Sequence, residues 1–250
     1  MGSSYLQIAR ILALFSALIT CQSHAQTDLA DLQANGEVRI GVDIPYGVME
    51  FYDDNGREAG IDIDMLRTIA EEFDISATFV AMPFDKLFEA IQSRQVDLVA
   101  SAVTITPERQ KTLLFSEPYL DAGMSLAVAA GDSDIQSHAD LNGKRVAVLK
   151  GTVGEELAGK SGLFANATIV PYQINEVRMQ ALLSGEVDAT IVHFLTTEDQ
   201  RIRLVGDPLT QSFYGVVTHQ DNRRLMDQIN RVLRDMKRDG RLQAIKDRYL

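Results

Sequence analysis

The chain has 250 residues, 46% of them hydrophobic and 24% charged, with 35 acidic against 24 basic side chains. That balance excludes the basic face a nucleic-acid binder needs, and no Lys/Arg cluster restores one. Its single cysteine, Cys21, excludes an internal disulfide, so the fold must rest on its core, which a chain of this size can build.

Residues 1–25 differ from the rest of the chain. Arg10 and the amino terminus supply positive charge, residues 11–19 (ILALFSALI) are apolar, and Ser23-His24-Ala25 offers small side chains where a signal peptidase reads. This is the pattern of a secretory signal peptide, too short to span a bilayer. The mature chain is therefore expected from Gln26, exported to the periplasm. Residues 18–21 (LITC) also resemble a lipoprotein cleavage box that would tether the chain through Cys21. Thr20 is bulky before such a cut, which favours cleavage after Ala25.

From Val38 onward, β-like runs alternate with amphipathic stretches. Residues 38–42 (VRIGV) predict a strand, and Asp62 and Asp64 open a helix with Met65, Leu66, Ile69, Ala70 and Phe73 on one face. A strand over 77–80, a helix over 84–91 and a strand over 97–101 come next. After Ser133 the rhythm restarts: a strand over 145–149, a helix from Glu155, a strand over 168–170, a helix over 175–183 and a strand over 188–192. A strand over 215–219 precedes a closing helix carrying Leu225, Ile229, Val232, Leu233 and Met236. Two βαβαβ series of similar spacing predict two parallel-sheet lobes, joined by crossing strands because no low-complexity linker separates them.

Several motifs lead nowhere. Residues 154–161 (GEELAGKS) match the phosphate-binding pattern GxxxxGK[ST], but Glu155 and Glu156 would sit among the phosphates and EELA prefers helix. His138, His193 and His219 lack paired metal-ligand spacing, and no GxSxG elbow is present. No metal, cofactor or catalytic residue is expected, and the chain is not read as an enzyme.

Residues 97–119 (DLVASAVTITPERQKTLLFSEPY) are the informative stretch. A strand ends at Ser101 and runs into a polar loop with Thr104 and Thr106, after which Pro107 suits the first turn of a helix carrying Arg109. Hydroxyls and free N–H groups at a strand's C-terminal end, beside a guanidinium, form a carboxylate clamp. The alternative is a surface arginine, and spacing alone does not decide.

The stretch is similar to D-x-x-x-S-x-x-[ST]-I-T-x-x-R followed by F-[ST]-x-x-Y, matched by Asp97, Ser101, Thr104, Ile105, Thr106, Arg109, Phe115, Ser116 and Tyr119. With the blocks at 41–65, 141–156, 182–189 and 236–250, it resembles the family 3 extracellular solute-binding proteins, the periplasmic polar amino-acid binders of ABC transporters. The resemblance implies an α/β, two-lobe type II periplasmic-binding-protein fold. Each lobe would be a mainly parallel sheet flanked by helices, and two hinge strands would join them. Lobe 1 would take residues 26–124 and 213–250, and lobe 2 residues 125–212. It also implies that Arg109 holds a ligand carboxylate, helped by Ser101, the backbone at Ala102, and Thr104. Tyr46 and Phe84 would wall the ligand side chain, and Thr152 would contact it from lobe 2 at a helix start, favourable for an anion.

Two positions depart from the family pattern. The acid that pairs with a ligand α-ammonium is replaced by His193, and Val153 replaces a hydroxyl in the G-T-V turn. A buried ammonium requires a counter-charge. Either Glu50 or Asp43 supplies it, or the ligand lacks an ordinary α-ammonium and His193 accepts a hydrogen bond or, protonated, meets a second anion. The implied function is capture of a small carboxylate by hinge closure and delivery to an ABC permease by a monomeric carrier. The alternatives are an enzyme on the same scaffold, with His193 or Glu50 as acid or base, or a partner that presents ligand to a membrane receptor.

Overall fold

The computed structural model describes residues 28–132, 134–160, 162–193 and 200–250. The expected signal peptide, Cys21 and Ser161 lie outside the described residues. Among the described residues, no helix is long and apolar enough to cross a membrane.

Lobe 1 opens with α1 (Leu29–Asn35), started by a capping box in which Asp28 and Asp31 exchange side chain-to-backbone hydrogen bonds. Then come β1 (Glu37–Val42), β2 (Phe51–Tyr52), β3 (Glu58–Ala59), α2 (Ile61–Glu72), β4 (Ser76–Ala81), α3 (Phe84–Gln92), β5 (Leu98–Val99) and β6 (Leu113–Phe115). The chain crosses on β7 (Leu120–Ala122) into β8 (Met124–Ala129), β9 (Arg145–Leu149), α4 (Val153–Lys160), β10 (Thr168–Tyr172), α5 (Asn175–Leu183), β11 (Ala189–His193) and β12 (Ile202–Val205). It returns on β13 (Ser212–Tyr214) to β14 (Val217–His219), α6 (Arg223–Asp239) and α7 (Arg241–Tyr249). The two crossing strands pair antiparallel, with Tyr214 opposite Leu120, and form the hinge.

Lobe 1 holds a five-stranded sheet in the order β4-β1-β5-β14-β6, and lobe 2 one in the order β10-β9-β11-β8-β12. Both are mixed: the parallel strands expected in each lobe are present, and antiparallel strands join them. β4, β1 and β5 are parallel, as are β10, β9 and β11, whereas β14 and β8 run against their neighbours. The reason is the double crossing. A strand entering a lobe next to the hinge has no preceding crossover helix to restore its direction.

Burial follows the pleat. On β9, Val146 and Val148 face one apolar cluster with Ile191 and Phe164, while Ala147 faces another with Leu182 and Val192. Both faces of the lobe 2 sheet are thus covered, as a largely buried sheet requires. The expected closing helix is α6; it stops at Gly240, whose φ of +86° suits glycine, and a further helix that was not expected, α7, follows. The GxxxxGK match lies in α4, wound as helix and not as an open phosphate loop.

Candidate functional site

The cleft forms where strand C-terminal ends of both lobes meet. β1 delivers Asp43 and the turn from Tyr46 to Glu50, which is closed by the Tyr46 N–H donating to the Glu50 carbonyl at 2.6 Å. β5 ends early, at Val99, so Ser101 and Ala102 sit in a turn beyond it. Ala102 has a φ of +47°, a left-handed backbone rare for a residue with Cβ. The kink aims its N–H at Asp62 Oδ2, 2.7 Å away, and not at the place expected for a ligand carboxylate. Asp62 Oδ1 also accepts the Tyr119 hydroxyl at 2.6 Å.

Ser101 is similarly engaged. Its hydroxyl donates to Glu50 Oε1 and accepts the Asp43 N–H at 3.0 Å. Glu50 and Asp62 are wholly buried. Burial and the neighbouring Asp62 push the Glu50 carboxyl well above its ordinary range, and burial raises Asp62 to about 6 and Asp43 to about 7. Lobe 1 therefore presents a floor of closely set acids that hold their protons more tightly than usual.

This gives a pH-dependent prediction. Glu50 binds its proton more tightly folded than unfolded. Its contribution to stability is therefore full below the unfolded value near 4.3 and is lost as pH rises through the folded value. Glu50→Gln keeps an acceptor for Ser101 without titrating. It should match the parent near pH 4 and exceed it at pH 8 by roughly 1 kcal/mol or more in thermal unfolding. His193 has the opposite sign, losing stability as pH falls below about 6.5, but it is common to both proteins. An equal offset at both pH values would contradict the reading.

Arg109 starts a 3₁₀ turn (Arg109–Lys111) and is only 8% exposed. Its guanidinium lies over the Phe84 and Phe88 rings, with centroids at 5.6 and 4.9 Å. Nη1 donates to the Thr104 carbonyl at 2.8 Å, and Nη2 crosses to the Gly151 carbonyl of lobe 2 at 3.0 Å. Burial lowers its pKa to about 10. Phe84 is buried at the first turn of α3, and Thr104 is buried beside Tyr214.

From lobe 2, Thr152 precedes α4 and donates its hydroxyl to the Leu149 carbonyl at 2.6 Å. Val153 is half-buried and packs on the lobe 2 core. His193, at the end of β11, is buried. Its Nδ1 is 3.1 Å from the Tyr46 hydroxyl, and its ring meets Tyr214 edge-on at 4.9 Å. Burial, with Arg178 and Arg109 nearby, lowers its pKa to about 3, so the imidazole is neutral at physiological pH.

Of the nine expected site residues, Tyr46 meets His193 and Arg109 lies on Phe84 and bonds Thr104, whereas Ser101 and Ala102 turn to buried acids and Thr152 and Val153 contact lobe 2 itself. The sequence reading missed Asp62, Tyr119 and Tyr214 as cleft groups, and also Arg178 of α5. Two of these carried a signal. Asp62 stands at the spacing of Met65, Leu66 and Ile69, and Arg178 at that of Ala181 and Leu182, so each is a charge on its helix's buried stripe. Tyr214 carried none, because nothing local marks a hinge strand. No group of metal-ligating side chains occurs among the described residues.

Known proteins resemble the chain along most of its length. The L-arginine-binding protein of Pseudomonas aeruginosa is 26% identical over 246 residues, covering 93% of this chain and 95% of that protein. An ancestral arginine-binding protein solved with arginine superposes with a TM-score of 0.80 at 31% identity, covering 86% of this chain and 98% of that one. An ancestral amino acid-binding protein, described as a precursor of cyclohexadienyl dehydratase, superposes with a TM-score of 0.83 at 30% identity, covering 88% and 98%. The profile of the bacterial extracellular solute-binding proteins, family 3, matches residues 38–250, and the chain belongs to that family.

Proposed function

We propose that the protein is an exported, periplasmic solute carrier. It captures a small carboxylate-bearing ligand, an amino acid or a derivative of one, and hands it to an ABC permease. The observation that carries this is Arg109. It is a buried guanidinium at a strand-end cleft whose acceptors are two carbonyls, one from each lobe, and among the described residues no carboxylate is paired to it. An incoming carboxylate offers stronger, charge-assisted bonds in the same place. Contacts between the lobes, such as Arg109 to Gly151 and Tyr46 to His193, form only when they close, and such contacts supply the differential affinity that shifts the population. Residues 1–25 would direct export, and the permease would read the closed form.

A second reading, an enzyme on this scaffold, is favoured by one observation. Glu50 is buried in the cleft with a raised pKa, and its Oε2 has no hydrogen-bond partner. A thermal-shift screen of amino acids, opines, dicarboxylates and aromatic acids, followed by mass spectrometry, separates the two. A carrier is stabilised by a ligand recovered intact. A consumed ligand would replace the carrier reading with the enzymatic one.

A further inference from the structure

Arg178 repeats the circumstances of Arg109 on the opposite lobe. It is 2% exposed and stands on the inner face of α5. One terminal nitrogen donates to the Ile191 carbonyl and the other to Asn175 Oδ1 at 2.6 Å, while Nε, also buried, has no partner. Tyr46 lies against it and Asp43 acts on it at longer range, and among the described residues no carboxylate forms an ion pair with it. Burying a guanidinium with only neutral acceptors is costly, and a structural role of fastening α5 to β11 needs no charge. The arginine borders a small cavity shared with Tyr46, Asn175 and Val192, at the edge where Asn175 Nδ2 reaches the Pro45 carbonyl of lobe 1 at 3.3 Å. Tyr46 meets His193, and both guanidiniums act electrostatically on the His193 ring.

We infer that Arg178 is a second anion anchor, so that the ligand is a dianion with one acidic group on Arg109 and the other on Arg178. The inference rests on the carrier reading above and narrows its cargo to dicarboxylates, with or without an amino group. His193 in place of an acid fits the same picture, because a carboxylate there would repel the second anionic group. Replacing it with a neutral ring removes that repulsion without adding a third cation.

The test uses isosteric pairs that differ only in the second charge: succinate and succinamate, glutarate and glutaramate, L-aspartate and L-asparagine, L-glutamate and L-glutamine. Calorimetric titration of the mature protein should show the acid of at least one pair binding tenfold or more tighter than its amide. Arg178→Gln should abolish that preference, lowering affinity for the acid tenfold or more beyond any loss for the amide. Should Arg178→Gln not fold, the parent's acid-to-amide ratio still decides, with Arg178→Lys as a second variant that keeps the charge and loses the fork. Amides binding as tightly as acids, or a preference that survives Arg178→Gln, would overturn the inference. So would retention of L-arginine or L-histidine with no acid bound, and that outcome would leave the carrier reading standing. Failure of every carboxylate to bind would defeat both.

Discussion

Arg109→Met should lower affinity for the carboxylate ligand at least about a hundredfold while leaving the protein folded. Removing one partner of a buried, hydrogen-bonded charge pair costs about 2–5 kcal/mol, because the ligand's carboxylate is then desolvated without a counter-charge. Methionine keeps the apolar bulk that lies against Phe84 and Phe88. The loss therefore reports the guanidinium and not a hole. The carbonyls of Thr104 and Gly151 lie at the cleft, where water can replace the lost donors. Titration calorimetry with the best ligand, alongside a thermal melt without ligand, measures both effects. Unchanged affinity would show that the anchor lies elsewhere.

The second large effect belongs to closure. Gly151 has a φ of +79°, and a Cβ there would stand 3.1 Å from Asp85 Cα and 3.2 Å from Asp85 Cβ across the cleft. Nearby, Lys150 Nζ and Asp85 Oδ2 are 3.8 Å apart between the same two lobes. A β-branched residue would be strained in the left-handed region and would also hold the lobes apart. Gly151→Val should therefore weaken binding at least about tenfold, because the closed state becomes a smaller fraction of the population. Each lobe keeps its own core, so the fold itself should survive. The measurement is ligand titration with small-angle scattering. The variant should remain expanded at ligand concentrations that compact the parent. Compaction equal to the parent's would show that Gly151 is not where the lobes meet.

Much of the fold was legible from periodicity. The strand over 145–149 and the helix over 175–183 coincide with β9 and α5, because both have a clear apolar pattern and sharp ends. The antiparallel strands were not legible. β8, β12 and β13 owe their pairing to the double crossing between lobes, a long-range property that no local window contains. β5 was expected over 97–101 and stops at Val99, because the chain kinks at Ala102 to reach Asp62, and a single alanine does not announce a left-handed backbone. In the site, residue identity nominated candidate groups but not their partners. Ser101 and the Ala102 N–H, expected to face the ligand, are tied to Glu50 and Asp62, whose burial only the fold reveals. Arg178 was legible in principle as a charge on an apolar stripe, a departure from local consistency of the kind that accompanies function.

Native mass spectrometry gives the sharpest test of carboxylate capture. The mature chain, refolded free of ligand, is mixed with an equimolar panel of small carboxylic acids and their methyl esters. A one-to-one complex should form with an acid and not with its ester, and should be lost in Arg109→Met, with the acid chemically unchanged on release. Equal retention of the ester, or release of an altered molecule, would contradict a carrier that closes on a carboxylate held by Arg109.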